Sequence, residues 1–290
     1  MKMDKVTTLG RFLDYVSDLR KYWRIANEKE LWFRGESRDH QNTLLRPELY
    51  RPPERDALRP IDDLLDIESR LYEEFKRCAD QFRSETLDRE YWEWDAYFLM
   101  QHHGGATRLL DWSDGALMAL HFAVRNPRDD AKNEDAFVYI LEPDRLNQQL
   151  KAFHNDTGIA EKWRDYIKHK RPRENLNEED WEEDAYLPSD KEERAEFAIP
   201  NLPLVLDFPH ITRRVAAQRS RLFVFGTDHE FLSNEFNKEQ DSPIKRICID
   251  GNFRREIRRQ LRDAGISESV IYPDLDGVGR EIKQLWEETK

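Results

Sequence analysis

Two short segments hold the residues whose types and spacing can do chemistry: Leu31-Trp32-Phe33-Arg34-Gly35-Glu36 and Gln101 through Ser113. Between them they place Arg34, Glu36, Arg38, Gln101, His102, Thr107, Arg108, Asp111 and Ser113 beside apolar runs. An arginine directly after Leu-Trp-Phe must be paired or bound to a ligand if it is buried. Two readings follow. In the first the cluster is structural, with Arg34 paired to Asp111 and Arg108 capping carbonyls at a strand end. In the second it is an anion-binding cleft, because a guanidinium presents a planar, permanently charged donor fork that suits phosphate. Gly35, Gly104 and Gly105 would then let a ligand approach the backbone closely. His102 is a candidate general base, or else a core histidine bonded to backbone.

Other chemistries find no support. His102 and His103 are adjacent, so on a helix they point about 100° apart and cannot chelate as an i, i+4 pair would. The two cysteines, Cys78 and Cys248, fit no metal spacing and no disulfide framework, which suits a reducing cytoplasm. No metal site is expected. There is no phosphate-loop motif and no Gly-x-Ser-x-Gly elbow. Asp250-Gly251 and Asp276-Gly277 are turn signals. No apolar run approaches the roughly 20 residues that span a bilayer, so no membrane partner is expected. The formal charge of −12 argues against a surface that binds nucleic acid throughout, and leaves room only for a local basic groove.

The elements that position the cluster can be read from periodicity. Thr8 caps a helix running to about Trp23, with Phe12, Val16, Leu19 and Trp23 on one face. Leu31–Phe33 is a short strand ended by Arg34-Gly35. Thr43 to Pro60, with prolines at 47, 52, 53 and 60, is an irregular excursion. A helix follows from Asp62 to Phe82 with Leu64, Leu71, Phe75, Cys78 and Phe82 inward. Another runs from Tyr91 to His102 and is stopped by Gly104-Gly105. Ala106–Asp111 is extended. Ala116–Val124 is an apolar helix whose small residues place it against a sheet. Further strands are expected at Ala136–Leu141, Leu204–Leu206, Leu222–Phe225 and Ile244–Ile249. Arg171 to Glu196 carries eleven acidic and four basic residues and reads as a solvated insertion or an acidic docking surface. Phe253 to Ala264 is a helix with five arginines, capped by Gly265. They form either an exposed face, with Phe253, Ile257 and Leu261 inward, or a phosphate-facing stripe. A last helix spans Gly277 to Glu288.

On these residues the chain resembles the FRG domain family, named for the triplet present here as Phe33-Arg34-Gly35. The family pattern continues in Leu45-Arg46-Pro47, in the Gln-His-x-Gly-x-x-Thr-Arg-Leu-Leu-Asp-Trp string from Gln101 to Trp112, and in the helix ending Phe122-Ala123. It reappears in Arg214 to Gln218 and in Tyr272-Pro273-Asp274-Leu275-Asp276-Gly277. The resemblance runs from about Leu31 to Glu281. It implies a helical segment over 1–30 followed by an FRG domain over 31–290 with an acidic insertion at about 155–200. In Arg219-Ser220-Arg221-Leu222-Phe223 a glycine usually precedes the phenylalanine, a departure that reshapes the surroundings of Gln218.

The order of elements is also similar to the ADP-ribosyltransferase fold, which implies an α+β architecture with a mixed, mainly antiparallel central sheet flanked by helices. In that fold an arginine at the end of a first strand holds a nicotinamide dinucleotide phosphate, a second strand supplies a hydroxyl, and a late strand supplies a glutamate. Arg34 matches the first role, Thr107 or Ser113 the second, and Gln218 stands near the third. A glutamine is not a carboxylate, so charge support for an oxocarbenium-like state would fall to Asp111 or Glu36. The resemblance thus implies an enzyme acting on NAD, of a kind that serves toxins or antiviral defence. Its catalytic residues would be Arg34, Asp111, Gln218 and His102, and Arg34, Gly35, Thr107, Arg108 and Ser113 would hold the ligand. A macromolecular acceptor or regulatory partner is expected. The alternatives are a non-catalytic nucleotide- or protein-binding module and a nucleic-acid-directed effector using the basic helix.

Overall fold

Strand alternation divides the apolar residues between the two faces of one sheet. The computed structural model describes residues 4–40, 44–52, 57–79, 92–126, 133–156, 184–196, 199–206, 213–238 and 241–289. Its strands are β1 (Trp32–Glu36), β2 (Leu109–Ser113), β3 (Ala136–Leu141), β4 (Leu204–Leu206), β5 (Ser220–Val224) and β6 (Ile244–Ile249). They form a six-stranded sheet in the order β4-β5-β2-β1-β3-β6, and every neighbouring pair is antiparallel. On one face Trp32, Leu110, Trp112, Tyr139 and Phe223 pack with Leu49 and Tyr50 from the proline-rich excursion. On the other, Phe33, Val138, Ile140 and Ile247 pack against helices. The chain therefore has the α+β architecture expected, with a sheet that is antiparallel throughout.

The helices are α1 (Leu9–Tyr22), α2 (Ile61–Ala79), α3 (Trp92–His102), α4 (Ala116–Val124), α5 (Pro143–Asp156), α6 (Lys191–Glu196), α7 (Arg213–Gln218), α8 (Phe231–Asn237), α9 (Arg254–Asp263), α10 (Glu268–Ile271) and α11 (Leu275–Glu288). Thr8 caps α1 by accepting from the Arg11 amide at 3.2 Å. Phe12 of α1 is fully buried beside Phe33 and Ile257, and Val6 bridges to Ile249 at the edge of β6. α4 is buried nearly all round and lies on β1, as its small residues require. No helix among the described residues is long and apolar enough to cross a membrane.

Three expectations are corrected. First, β1 does not end at Phe33; it continues through Arg34-Gly35 to Glu36, so Arg34 sits mid-strand. Second, α2 buries Leu64, Leu65, Glu68, Ser69 and Tyr72, whereas Leu71 and Cys78 are exposed, so its inward stripe is rotated from the one that apolar spacing alone selects. Third, the arginines of α9 are divided: Arg255 and Arg259 lie on an exposed face, while Arg254 and Arg258 turn inward. Arg254 and Arg258 are buried and donate to the Ala123 and Val124 carbonyls that end α4, at 3.0 and 2.7 Å. Arg255 donates to the Glu288 carbonyl, Arg259 pairs with Glu256 and Asp263, and Arg262 pairs with Glu288. Most of the acidic insertion, 157–183 and 197–198, lies outside the described residues, as do Pro53 and Phe82.

Candidate active site between the first two strands

The sheet splits between its two central strands. β1 and β2 share the single register pair Phe33↔Ser113. Beyond it the Asp111 carbonyl accepts from Arg34 Nη1 at 2.6 Å, so a side chain takes a position that a backbone amide would fill in a continued ladder. Arg34 Nε donates to Glu36 Oε1 at 3.0 Å. Two of the guanidinium nitrogens are thus anchored, and Nη2 makes no hydrogen bond within the described residues. A cavity of about 230 Å³ opens here, lined by Phe33, Arg34, Gly35, Gln101, His102, Asp111, Trp112, Ser113, Ala119, Phe122, Gln218, Ser220 and Tyr272.

A short relay sets the Asp111 carboxylate. The Leu109 amide donates to Thr107 Oγ1 at 3.1 Å, Thr107 Oγ1 donates to Gln101 Oε1 at 2.5 Å, and Gln101 Nε2 donates to Asp111 Oδ2 at 2.7 Å. Each donor meets an acceptor, which fixes the orientation of the Gln101 amide. α3 delivers Gln101 because it stops at Gly104, whose φ of +87° is a left-handed conformation natural to glycine. The other Asp111 oxygen, Oδ1, is buried and has no hydrogen-bond partner within the described residues. Gln218 Nε2 is in the same state. The Gln218 backbone is held by Ser113, whose Oγ donates to the Gln218 carbonyl at 2.8 Å and accepts from the Gly115 amide at 3.1 Å. Arg219 takes a left-handed φ of 52°. That turn lets Gln218 and Ser220 both line the cavity.

Of the residues that the sequence pointed to, the split brings together Arg34, Gly35, His102, Asp111, Ser113 and Gln218. Thr107 and Arg108 stand in the core instead. Thr107 orients Gln101. Arg108 is fully buried: Nε meets Glu68 Oε2 at 2.5 Å, Nη1 donates to the Phe225 carbonyl at 3.0 Å, and Nη2 donates to the Tyr186 carbonyl at 2.6 Å. Burial alone would lower its pKa, but the Glu68 charge beside it holds it above the ordinary value. Arg108 is fully buried and does not line the cavity, so it does not present its guanidinium to a ligand there. Gly35 lines the cavity by its backbone, and its missing side chain serves packing: a Cβ there would lie 1.8 Å from the Ala119 carbonyl oxygen. The expected Arg34–Asp111 ion pair is absent; Arg34 takes the Asp111 carbonyl and pairs with Glu36.

Glu36 is a shared counter-charge. Besides Arg34 it meets Arg51 at 3.4 Å and His40 at 3.8 Å. Burial, opposed by Glu36 and reinforced by Arg51, Arg38 and Arg34, pushes the His40 pKa below its ordinary value. The imidazole is therefore neutral at pH 7 and leaves Glu36 to the guanidinium groups.

Tyr272 and Phe122 also form the wall; both stand in elements of the family pattern, which did not mark them as site residues. Tyr272 is clamped: Arg125 Nη1 donates to its hydroxyl at 2.7 Å and the Arg280 guanidinium lies 4.0 Å over its ring. Behind it the buried Glu268 accepts from Gln284 Nε2 at 3.1 Å and meets His121 Nε2 at 3.0 Å. Burial raises the Glu268 pKa, but the His121 hydrogen bond and the charges of His121, Arg125 and Arg280 outweigh it and leave it below the ordinary 4.5. A carboxylate depressed in the folded state stabilises the fold above its unfolded pKa, and that contribution is lost as pH falls through the folded value. Melting temperature followed from about pH 7 to about pH 3 should therefore fall less steeply below pH 4.5 in Glu268→Gln than in the parent chain. Equal slopes would show that Glu268 does not carry this acid sensitivity.

No curated protein and no solved structure matches the chain. The FRG family model matches residues 29–132, a range that includes β1, α3, β2 and α4 and so Arg34, Gly35, Gln101, His102, Asp111, Ser113 and Phe122, while Gln218, Ser220 and Tyr272 come from outside it. Residues 29–132, which build most of this cavity, are an FRG domain.

Proposed function

We propose that the cavity takes the nicotinamide end of NAD and that the protein transfers or hydrolyses its ADP-ribosyl group. The observation that carries this reading is the buried, unbonded Asp111 Oδ1 in a cavity that also presents Arg34 Nη2. A ligand that suits both has a positive or electron-poor centre near one end and an anion further along. A pyridinium linked through ribose to a diphosphate has that pattern. The volume of about 230 Å³ is below the roughly 300–1,000 Å³ that encloses a drug-sized ligand, so one ring and its ribose would enter while the rest lies outside. In this assignment Arg34 holds phosphate, the Gln218 amide donates to a ribose hydroxyl, and Asp111 stands beside the carbon that gains positive charge as nicotinamide leaves. The assignment follows the resemblance in element order to ADP-ribosyltransferases, with Arg34 in the first strand (within it, not at its end), Ser113 in the second and Gln218 before a late strand. Ser113, already bonded to Gln218 and Gly115, positions the wall. His102 is at hand as a proton acceptor for the attacking group.

The test is NAD consumption by the purified chain, alone and with cell lysate as a source of acceptor. Asp111→Asn should lower turnover by roughly 10²–10³-fold, the size of one lost transition-state electrostatic contact, while NAD still raises the melting temperature. Arg34→Ala should abolish both. A second reading, a binding module that senses a nucleotide without turnover, is favoured by one observation: the position near β5 holds the neutral Gln218 rather than a carboxylate. NAD stabilisation without any product would select it. Neither stabilisation nor product would remove NAD altogether.

A further inference from the structure

α11 has its polar side inward. Glu281 accepts from Ser267 Oγ and the Ser269 amide at 2.8 and 2.9 Å, Gln284 donates to the Arg125 carbonyl at 2.9 Å, and Glu288 pairs with Arg258 and Arg262. These residues fall on one face by their spacing of three and four. Leu275, Val278, Ile282 and Leu285 repeat at three and four on another face and are exposed, Leu275 at 88% and Ile282 at 63%. A surface helix ordinarily turns such a stripe to the core, and four spaced in this way form the seam that a second helix covers.

Two further features say which helix. Gly279 lies near the middle of the stripe, and a Cβ built on it would meet nothing. Glycine is the worst helix former after proline, and the fold gives no steric reason for it here. What it does provide is room for another helix to cross closely. Asp276 and Lys283 are exposed on either side of Gly279 and have no ion pair among the described residues. About a two-fold axis residue i meets j and j meets i. Two antiparallel copies of α11 crossing at Gly279 would set each Asp276 against the other Lys283, and the stripe Leu275 to Leu285 would be centred on the same point. The net charge of −12 speaks against an anionic membrane as the covering surface.

We propose that α11 is a self-association surface on which a second copy of this chain packs its own α11 antiparallel, crossing at Gly279 and closing two Asp276–Lys283 pairs. The experiment is sedimentation equilibrium of the whole chain over a concentration series, which needs no ligand. The parent chain should associate to a dimer. Ile282→Asp should be monomeric with its circular dichroism unchanged, because the side chain is exposed. Asp276→Lys and Lys283→Asp should each weaken the dimer by roughly tenfold, since each sets like charges opposite one another. The double variant should recover most of that loss, because exchanging both charges restores both pairs in a symmetric dimer and would not do so against an unrelated partner. A parent chain that is monomeric at every concentration, a dimer indifferent to Ile282→Asp, or a double variant no better than the singles would each overturn the proposal.

Discussion

Arg108→Ala is expected to destabilise the chain by about 3–5 kcal/mol, the range for removing one partner of a buried ion pair. The side chains of Arg108 and Glu68 are both fully buried. Removing the guanidinium strands a carboxylate, and it also strands the Phe225 and Tyr186 carbonyls that Nη1 and Nη2 satisfy. Among the described residues the carboxylate would keep only Tyr97 Oη and the residue-108 amide as donors. Against a typical total stability of about 5–15 kcal/mol this is a large fraction, and the melting temperature should fall by roughly 5–8 °C. Arg108→Lys keeps the charge but lacks the fork that reaches three acceptors, so it should recover less than half of the loss. The measurement is thermal and urea unfolding of both variants beside the parent chain. An Arg108→Ala chain that melts with the parent would mean that the pair does not hold β2 to α2.

Arg108 also shows where sequence and structure part. The Thr-Arg-Leu-Leu-Asp-Trp string marks this region, but the string alone does not say which of its polar residues turn to the cavity. Alternation along β2 and the anchor from Glu68 decide that. Glu68 was recoverable in principle: it stands between Leu64 and Tyr72 at helical spacing, and a carboxylate within an apolar stripe needs a cation. The strand at 136–141 and the helix at 116–124 were legible because each is an unbroken apolar run, and 204–206 and 244–249 because β-branched and aliphatic residues dominate them, with Lys245 and Arg246 interrupting the latter. β1 was read too short because Arg34-Gly35 looks like a terminus until the Asp111 carbonyl and Ala119 are known to face it. The inward roles of Arg254 and Arg258 were hidden because charged residues ordinarily leave the core. Here the end of α4 supplies carbonyls that need donors. Gln218 was named from the resemblance, but how it is held, like the way Tyr272 joins the wall, rests on contacts more than 100 residues apart in the chain, which no local pattern encodes.

Gly35→Ala should be costly for stability and more damaging to the cavity than to any other part of the molecule. The added Cβ would stand 1.8 Å from the Ala119 carbonyl oxygen and 2.7 Å from the Ala123 amide nitrogen, both backbone atoms of α4 that no rotamer change can move aside. The whole helix must shift off β1. Overpacking of this kind costs on the order of 3 kcal/mol. The shift has a second consequence: α4 carries Ala119 and Phe122 of the cavity wall, and it carries His121, which holds Glu268 behind Tyr272. Ligand-induced stabilisation should therefore disappear in Gly35→Ala even at temperatures where the variant is still folded. Gly10→Ala is the matched control, since a Cβ at that position in α1 meets nothing, and the same change there should be neutral or stabilising. Unfolding of the two variants with and without NAD separates the clash from any general effect of glycine. If Gly35→Ala matched the control in both stability and ligand response, the close seating of α4 on β1 would not be what shapes this site.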